Sequence, residues 1–168
     1  FDTETTSLNE LEAELVGMSF SYKKGLAYYI PLSENREEVL ETLEIFKPFF
    51  EKKEIVKIAH NLKFDYKILK QYDVNIEGAM FDTMIAHYLL NPDGRHGMDY
   101  LSEMYLNYIP VSIESIIGKK GKKQGNFRDA DLKIQTEYAA EDADVTFQRD
   151  ELFAPQLKKE NLENLFFN

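Results

Sequence analysis

Glu14 to Pro31 reads ELVGMSFSYKKGLAYYIP, two aromatic and aliphatic runs, 14–21 and 25–31, separated by Tyr22, Lys23 and Lys24. Runs of that length around so short a polar spacer mark a β-hairpin. Toward the N-terminus, Phe1, Asp2, Thr3 and Glu4 read as the end of a further strand, so the opening of the chain forms an antiparallel meander. So little precedes that strand that the chain is expected to be cut from a longer protein. Toward the C-terminus, Ser33 is expected to cap a helix whose apolar positions Val39, Leu40, Leu43 and Phe46 recur at helical spacing, with Pro48 ending or restarting it. Ile55, Val56, Ile58 and Ala59 then read as a short buried strand. Helical periods return from Asn61 to Tyr72, from an N-cap at Asp82 through Met84, Ile85, Tyr88 and Leu89, and from Met98 to Leu106. Turn chemistry fills 91–97 (NPDGRHG), and the polar stretch from Gly118 to Arg128, with five basic residues and three glycines, reads as a loop. The last third, from Asp131, is helical with a break expected at Pro155, and there is no internal repeat. A meander, a helix, a strand and then mostly helices give an α/β layered domain on a mixed sheet.

A chain of 168 residues, 43% apolar and 13% aromatic, suffices for one core. The 20 basic against 30 acidic residues leave a net charge of −10, which excludes a general basic coat for polyanions or anionic membranes. The absence of cysteine removes disulfides, thiolate metal sites and cysteine nucleophiles, and suits a reducing compartment, so a cytoplasmic location is expected. No apolar run approaches the roughly 18 residues of a membrane span.

Three groups of carboxylates carry the chemistry. Asp2 and Glu4 lie two apart in a strand, so both leave one face. Side by side they oppose each other's ionisation unless a cation such as Mg²⁺ or Mn²⁺ intervenes; a solvated strand face is the plainer alternative. In 61–65 (NLKFD), Asp65 falls on a stripe with Asn61, Ile68, Leu69 and Tyr72, an acid in an apolar face that needs either a cap or ion-pair partner or a metal. In 138–142 (YAAED), Tyr138 and Asp142 share a stripe with Ile134 and Val145, while Glu141 and Asp144 point elsewhere and are expected to be solvated. A helical tyrosine is commonly just core. Together, four carboxylates on the inward faces of three elements, with a phenol beside them, suit two divalent cations about 3.5 to 4 Å apart for phosphodiester hydrolysis. His60, His87 and His96 are scattered along the chain and form no nucleophilic triad, and no phosphate-cradling glycine motif is present.

These residues resemble the proofreading 3′→5′ exonuclease domain of bacterial DNA polymerase I, within the DEDD exonuclease superfamily. FDTETTSL (1–8), HNLKFD (60–65) and YAAEDADVTFQ (138–148) are similar to its three ordered motifs, and FDTMIAHYLLNPDGRHGMDYL and IIGKKGKKQ to the text between the second and third. The Tyr138-x-x-x-Asp142 spacing resembles the tyrosine subgroup. The resemblance covers nearly the whole chain. It implies a ribonuclease-H-like fold with a mixed five-stranded sheet, an antiparallel meander followed by parallel strands, flanked by helices. It further implies hydrolysis of the 3′-terminal nucleotide with two Mg²⁺, for which Mn²⁺ substitutes. In that picture Asp2, Glu4 and Asp142 bind the first ion, Asp2 bridges to the second, Asp65 holds the second mainly through water, and Tyr138 orients the attacking water. Leu8 wedges against the terminal base, the Thr3 and Glu4 backbone lies near the 3′-hydroxyl, and Asn61, Lys63 and Arg95 lie near phosphates.

All four carboxylates are present, so a working site is expected. Ile113 stands where the family often has an aromatic residue against DNA, which removes a stacking contribution of roughly 1 to 3 kcal/mol. The implied partners are single-stranded DNA 3′ ends and the polymerase module of the parent chain, with residues 1–168 as one monomeric exonuclease domain and no membrane. Two other readings stay open: a ribonuclease-D-like RNA exonuclease, and a silent domain that only positions a polymerase. The 118–128 run either grips single-stranded DNA or is ordinary solvated surface.

Overall fold

The computed structural model describes residues 1–119, 121 and 124–167. Three lysines of the basic 118–128 run, Lys120, Lys122 and Lys123, therefore lie outside the described residues. The expected meander forms from β1 (Asp2–Thr5), β2 (Leu15–Lys23) and β3 (Leu26–Pro31), all antiparallel in the order β1-β2-β3. Asp2 pairs with Ser19 and Gly17 with Pro31, with irregularities in register between Glu4 and Thr5 and between Ser21 and Lys23. A second, parallel sheet consists of β4 (Lys57–Ala59) and β5 (Met80–Asp82). The five strands thus form two sheets and not the one continuous sheet expected. The reason lies in β1, whose ladder with β2 begins at Asp2; the α-amino group of Phe1 alone reaches across, donating to the Ile58 carbonyl at 2.7 Å.

Helices cover both sheets: α1 (Arg36–Glu51), α2 (Leu62–Lys70), α3 (Thr83–Leu90), α4 (Met98–Leu106), the short α5 (Ile113–Ile117), α6 (Leu132–Lys159) and α7 (Glu163–Phe167). The cap of α1 is Asn35, whose side chain accepts from the Glu37 amide at 2.8 Å; Ser33, the expected cap, instead accepts from the Asn35 amide. Neither proline breaks its helix. Pro48 and Pro155 both sit on exposed faces, where the carbonyls of Glu44 and Glu151, freed of their helical partners, meet water.

One core lies between the antiparallel sheet, α1 and α2, built on Leu15, Met18, Leu43, Phe50, Ile68 and Leu69, with Phe1 edge-on to Phe50 at 5.3 Å. A second, built on Phe81, Ala86, Leu101, Phe153 and Leu157, joins α3, α4 and α6. Strand β4 departs from its expected pattern: Val56 is exposed and Lys57 is fully buried. Lys57 is accommodated because its Nζ donates to the Lys52 carbonyl at the end of α1 and to the Glu77 carbonyl at 2.6 Å, so backbone oxygens solvate it. Helix α6 crosses β2 and β3 as well as α3 and α4, and so ties the two cores together. Gly17 permits one of these ties, since a methyl there would fall inside the Tyr29 ring, whose hydroxyl donates to Gln135 Oε1 of α6 at 3.0 Å.

Candidate active site

Strand alternation on β1 turns Asp2 and Glu4 to one side, and α6 brings Asp142 against them, so that one carboxylate oxygen from each lies within 4.8 Å of the others. Glu4 and Asp142 are buried and Asp2 is half-buried. Glu4 Oε1 has no hydrogen-bond partner, an acceptor withdrawn from water and left open. Burial, followed by the charges of Asp2, Asp142 and Asp65, holds Glu4 well above the usual carboxylate range. Burial and Asp2 do the same to Asp142, against the opposing pull of Tyr138 and Arg149. Burial raises Asp2 to about 6, opposed by the α-amino group and Arg149. Oxygen donors crowded so that protonation relieves them are chemically suited to a hard divalent cation.

Asp65, on α2, is 2% exposed and belongs to the apolar stripe of Ile68, Leu69 and Tyr72 as expected. Both the amide (3.0 Å) and the hydroxyl (2.6 Å) of Thr3 donate to its Oδ1. These bonds offset part of the burial and Asp2 repulsion that raise its pKa. Thr3 therefore works as the clasp between β1 and α2, and its amide is committed. Asn61 is not on the Asp65 stripe: it precedes α2 in the left-handed region (φ 63°), exposed. The cap that its side chain does not provide comes from Asp82, which receives the amides of Asn61 (3.1 Å), Leu62 (2.9 Å) and Met84 (2.8 Å) and so caps α2 and α3 together. Lys63 and Arg95 are exposed, and Leu8, at 79% exposure, stands out from the loop after β1.

Tyr138 is half-buried one turn before Asp142 and edges the Phe127 ring at 5.5 Å. Burial, followed by Asp142, Glu4 and Asp2, drives its phenol far above the ordinary value, so it stays protonated at neutral pH. The inward stripe of α6 runs through Gln135, Ala139, Asp142, Thr146 and Arg149, whereas Ile134 is exposed. Gln135 replaces Ile134 inside because its amide has partners there, the Ala130 carbonyl at 2.8 Å and the Tyr29 hydroxyl. Glu141 and Asp144 point away from the cluster as expected and are half-exposed, each with partners near the surface. Glu141 accepts from the Val111 amide at 2.7 Å and from the Tyr108 hydroxyl, and Asp144 from the Gly25 amide at 2.7 Å.

Two groups went unforeseen. Arg149 is fully buried, its Nε bonded to the Val145 carbonyl (3.0 Å) and its Nη2 to Thr146 (3.1 Å), with Nη1 unpaired. Its spacing of seven from Asp142, two helical turns, was the available signal. The three histidines are gathered, not scattered: His87 Nδ1 lies 2.7 Å from His96 Nδ1, and the His60 ring lies against the His96 backbone.

The layered architecture and the carboxylates define a nuclease of ribonuclease-H-like fold, the fold shared with Brucella melitensis NrnC. Solved with bound Mg²⁺, that protein gives a TM-score of 0.75 at 21% identity, covering 98% of this chain and 75% of that one. Solved bound to pGG, it gives 0.73 at 21% identity, covering 98% and 74%. Residues 1–159 match the family described as 3′-5′ exonuclease, and the chain belongs to that family. It is 38% identical over 167 residues to DNA polymerase I of Borreliella burgdorferi and 35% identical over 190 residues to that of Rhizobium leguminosarum. Those alignments take in 98% and 99% of this chain but only 18% of each relative, so the chain spans less than a fifth of their length.

Proposed function

We propose that residues 1–168 are the editing domain of a longer DNA polymerase I, a metal-dependent exonuclease that removes 3′-terminal nucleotides from single-stranded or frayed DNA. The meeting of Asp2, Glu4 and Asp142 within 4.8 Å, with Glu4 Oε1 unpaired, carries this reading. The donor set is all oxygen, which fits Mg²⁺ and admits Mn²⁺. Asp2, Glu4 and Asp142 would hold one ion, and Asp2 with Asp65 a second. Bound there, the ions supply charge neutralisation for the phosphodiester and an acidified water.

The remaining work belongs to the chain's own side chains. The Tyr138 phenol, kept protonated, donates toward Asp142 and leaves its oxygen lone pairs to orient a water; it is a positioning hydroxyl and not a phenolate base. Thr3 fixes Asp65, so any part it has in nucleotide binding passes through that carboxylate. Leu8 offers apolar surface to the terminal base, while Asn61, Lys63 and Arg95 offer exposed donors to phosphates. A net charge of −10 leaves little long-range attraction for DNA, so the duplex must be held by a neighbouring polymerase module. Among the described residues no helix is long and apolar enough to cross a membrane.

A second reading, an RNA exonuclease, draws on the fold neighbour that binds pGG. Incubation of 5′-labelled DNA and RNA strands with Mg²⁺, Mn²⁺ or chelator tests both. A metal-dependent ladder on DNA supports editing, a ladder on RNA alone supports the second reading, and no ladder on either defeats both.

A further inference from the structure

Within the turn 91–97 between α3 and α4, Gly94 N–H donates to the Asn91 carbonyl at 3.0 Å. Its far end is tied to α4 by the Leu101 amide, which donates to the Gly97 carbonyl at 3.0 Å, and to α3 by a side chain. His96 turns inward and its Nδ1 meets Nδ1 of His87, which is 1% exposed on α3. His87 is fixed in turn, its Nε2 3.1 Å from the Tyr105 hydroxyl of α4 and its ring 5.6 Å from Phe153 of α6. Tyr88 covers the other side of His96 at 5.4 Å. Two imidazole nitrogens 2.7 Å apart share a single proton, one ring donating and the other accepting, which sets their relative orientation. Burial also disfavours charge on His87. The residue immediately before His96 is the exposed Arg95. The His96 backbone also meets the ring of His60, the residue immediately before Asn61 at the start of α2.

We propose that His87 and His96 form a latch that sets the 91–97 turn and thereby holds the Arg95 guanidinium where it meets a substrate phosphate. The two histidines are positioning residues. The inference rests on the reading of Arg95 as a phosphate contact. Held this way, the arginine is preorganised, and the cost of ordering an exposed turn at each binding event is avoided.

The test is equilibrium binding of a fluorescent single-stranded DNA, with Ca²⁺ in place of Mg²⁺ so that the strand stays intact. Arg95→Ala is expected to weaken binding about tenfold, the worth of one charge-assisted contact. His96→Ala is expected to weaken it by a similar factor, and the double variant by little more than either alone. His96→Asn, whose amide nitrogen can occupy the position of Nδ1, is expected to restore most of the affinity, which simple loss of packing would not allow. Tyr105→Phe removes only the hydroxyl that orients His87; it should weaken binding about threefold and serves if His96→Ala does not fold. If Arg95→Ala leaves affinity unchanged, the reading of Arg95 fails and the latch with it. If Arg95→Ala weakens binding while His96→Ala and Tyr105→Phe do not, or if the Arg95 and His96 losses multiply, the latch is refuted and the Arg95 reading stands. An unmutated chain that binds no single strand overturns both.

Discussion

Arg149→Met removes a buried cation that faces Asp2, Asp99 and Asp142 while keeping most of the side-chain volume. The guanidinium is fully buried, and although burial lowers its pKa to about 10, opposed by Asp142, Asp2 and Asp99, it is still charged at neutral pH. Only two of its donor groups are bonded, to the Val145 carbonyl and the Thr146 hydroxyl, and the Val145 carbonyl keeps its place in the helix when the guanidinium leaves. The loss is therefore mainly electrostatic. Removing one member of a buried charge cluster costs about 3 to 5 kcal/mol, less whatever the carboxylates recover by taking up protons. For a chain of this size about 2 to 4 °C accompanies each kcal/mol, so the metal-free variant should melt roughly 6 to 20 °C lower.

Divalent ions change the sign of the local balance, because a cation then neutralises the carboxylates and Arg149 becomes a like charge beside it. At saturating Mn²⁺ the variant should lose less than half as much, and its Mn²⁺ affinity should rise about tenfold or more. Thermal unfolding in chelator and in Mn²⁺, with calorimetric titration of the ion, measures both quantities. An equal melting loss in the two conditions, or an unchanged Mn²⁺ affinity, refutes the view of Arg149 as the cluster's resident counter-charge.

Asp142→Ala and Asp2→Ala should abolish hydrolysis of labelled DNA without unfolding the chain, because each takes a donor oxygen from a crowded set; near-normal rates at saturating Mn²⁺ would show the ligand set to be wrong. Tyr138→Phe should lower the single-turnover rate about 10² to 10⁴-fold with Mn²⁺ affinity unchanged, and an unaltered rate would return Tyr138 to the core. Glu4, Asp65 and Asp142 hold their protons more tightly folded than unfolded, so the stability they lend is complete below their unfolded values and is lost as pH rises through the folded ones. Urea midpoints in chelator should therefore rise from about pH 8 to about pH 6.5, by up to ~1.4 kcal/mol per pH unit for each extra proton bound. His60, pushed down to about 3, opposes this only where the unfolded imidazole begins to charge, and a flat chelator profile would contradict the crowding. Binding of a single strand should vary with salt with a slope of roughly −1.5 to −3, and a slope steeper than about −5 would mean a far larger phosphate footprint than Asn61, Lys63 and Arg95 provide.

Features written in local periodicity were legible in the sequence. The hairpin followed from alternating bulky residues, and Asp82 as the cap of α3 from its place before an apolar repeat. Asp65 in an apolar stripe was equally plain. What escaped depends on partners distant in the chain. Lys57 inside β4 is tolerable only because two carbonyls, 5 and 20 residues away, converge on its Nζ. Gln135 displaces Ile134 from the interior only because Tyr29 and Ala130 are waiting for its amide. The prolines at 48 and 155 read as stops because sequence does not reveal which side of a helix faces water. β5 is three residues long, too short for any period to register, yet it carries the aspartate that caps two helices.

The four carboxylates come from both halves of the molecule: Asp2 and Glu4 from the antiparallel sheet, Asp65 from the helix after the parallel sheet's first strand, and Asp142 from the long helix that crosses both. Between the sheets the backbone contributes a bond from the Phe1 amino group to Ile58, and the Thr3–Asp65 clasp adds two more. The seam of the fold is thus where its negative charge is concentrated. Without a cation those carboxylates repel one another across the seam, and the buried Arg149 opposes the repulsion. A divalent ion drawing oxygens from β1 and α6 would close the seam while completing the site, so ion binding and the joining of the two halves share one free energy. Measured by hydrogen exchange, protection of the β1 and β4 amides should therefore rise on adding Mg²⁺ more than protection of β3, which lies away from the seam. Equal gains in all three strands would mean that the ion stabilises the fold as a whole and that the seam has no separate weakness.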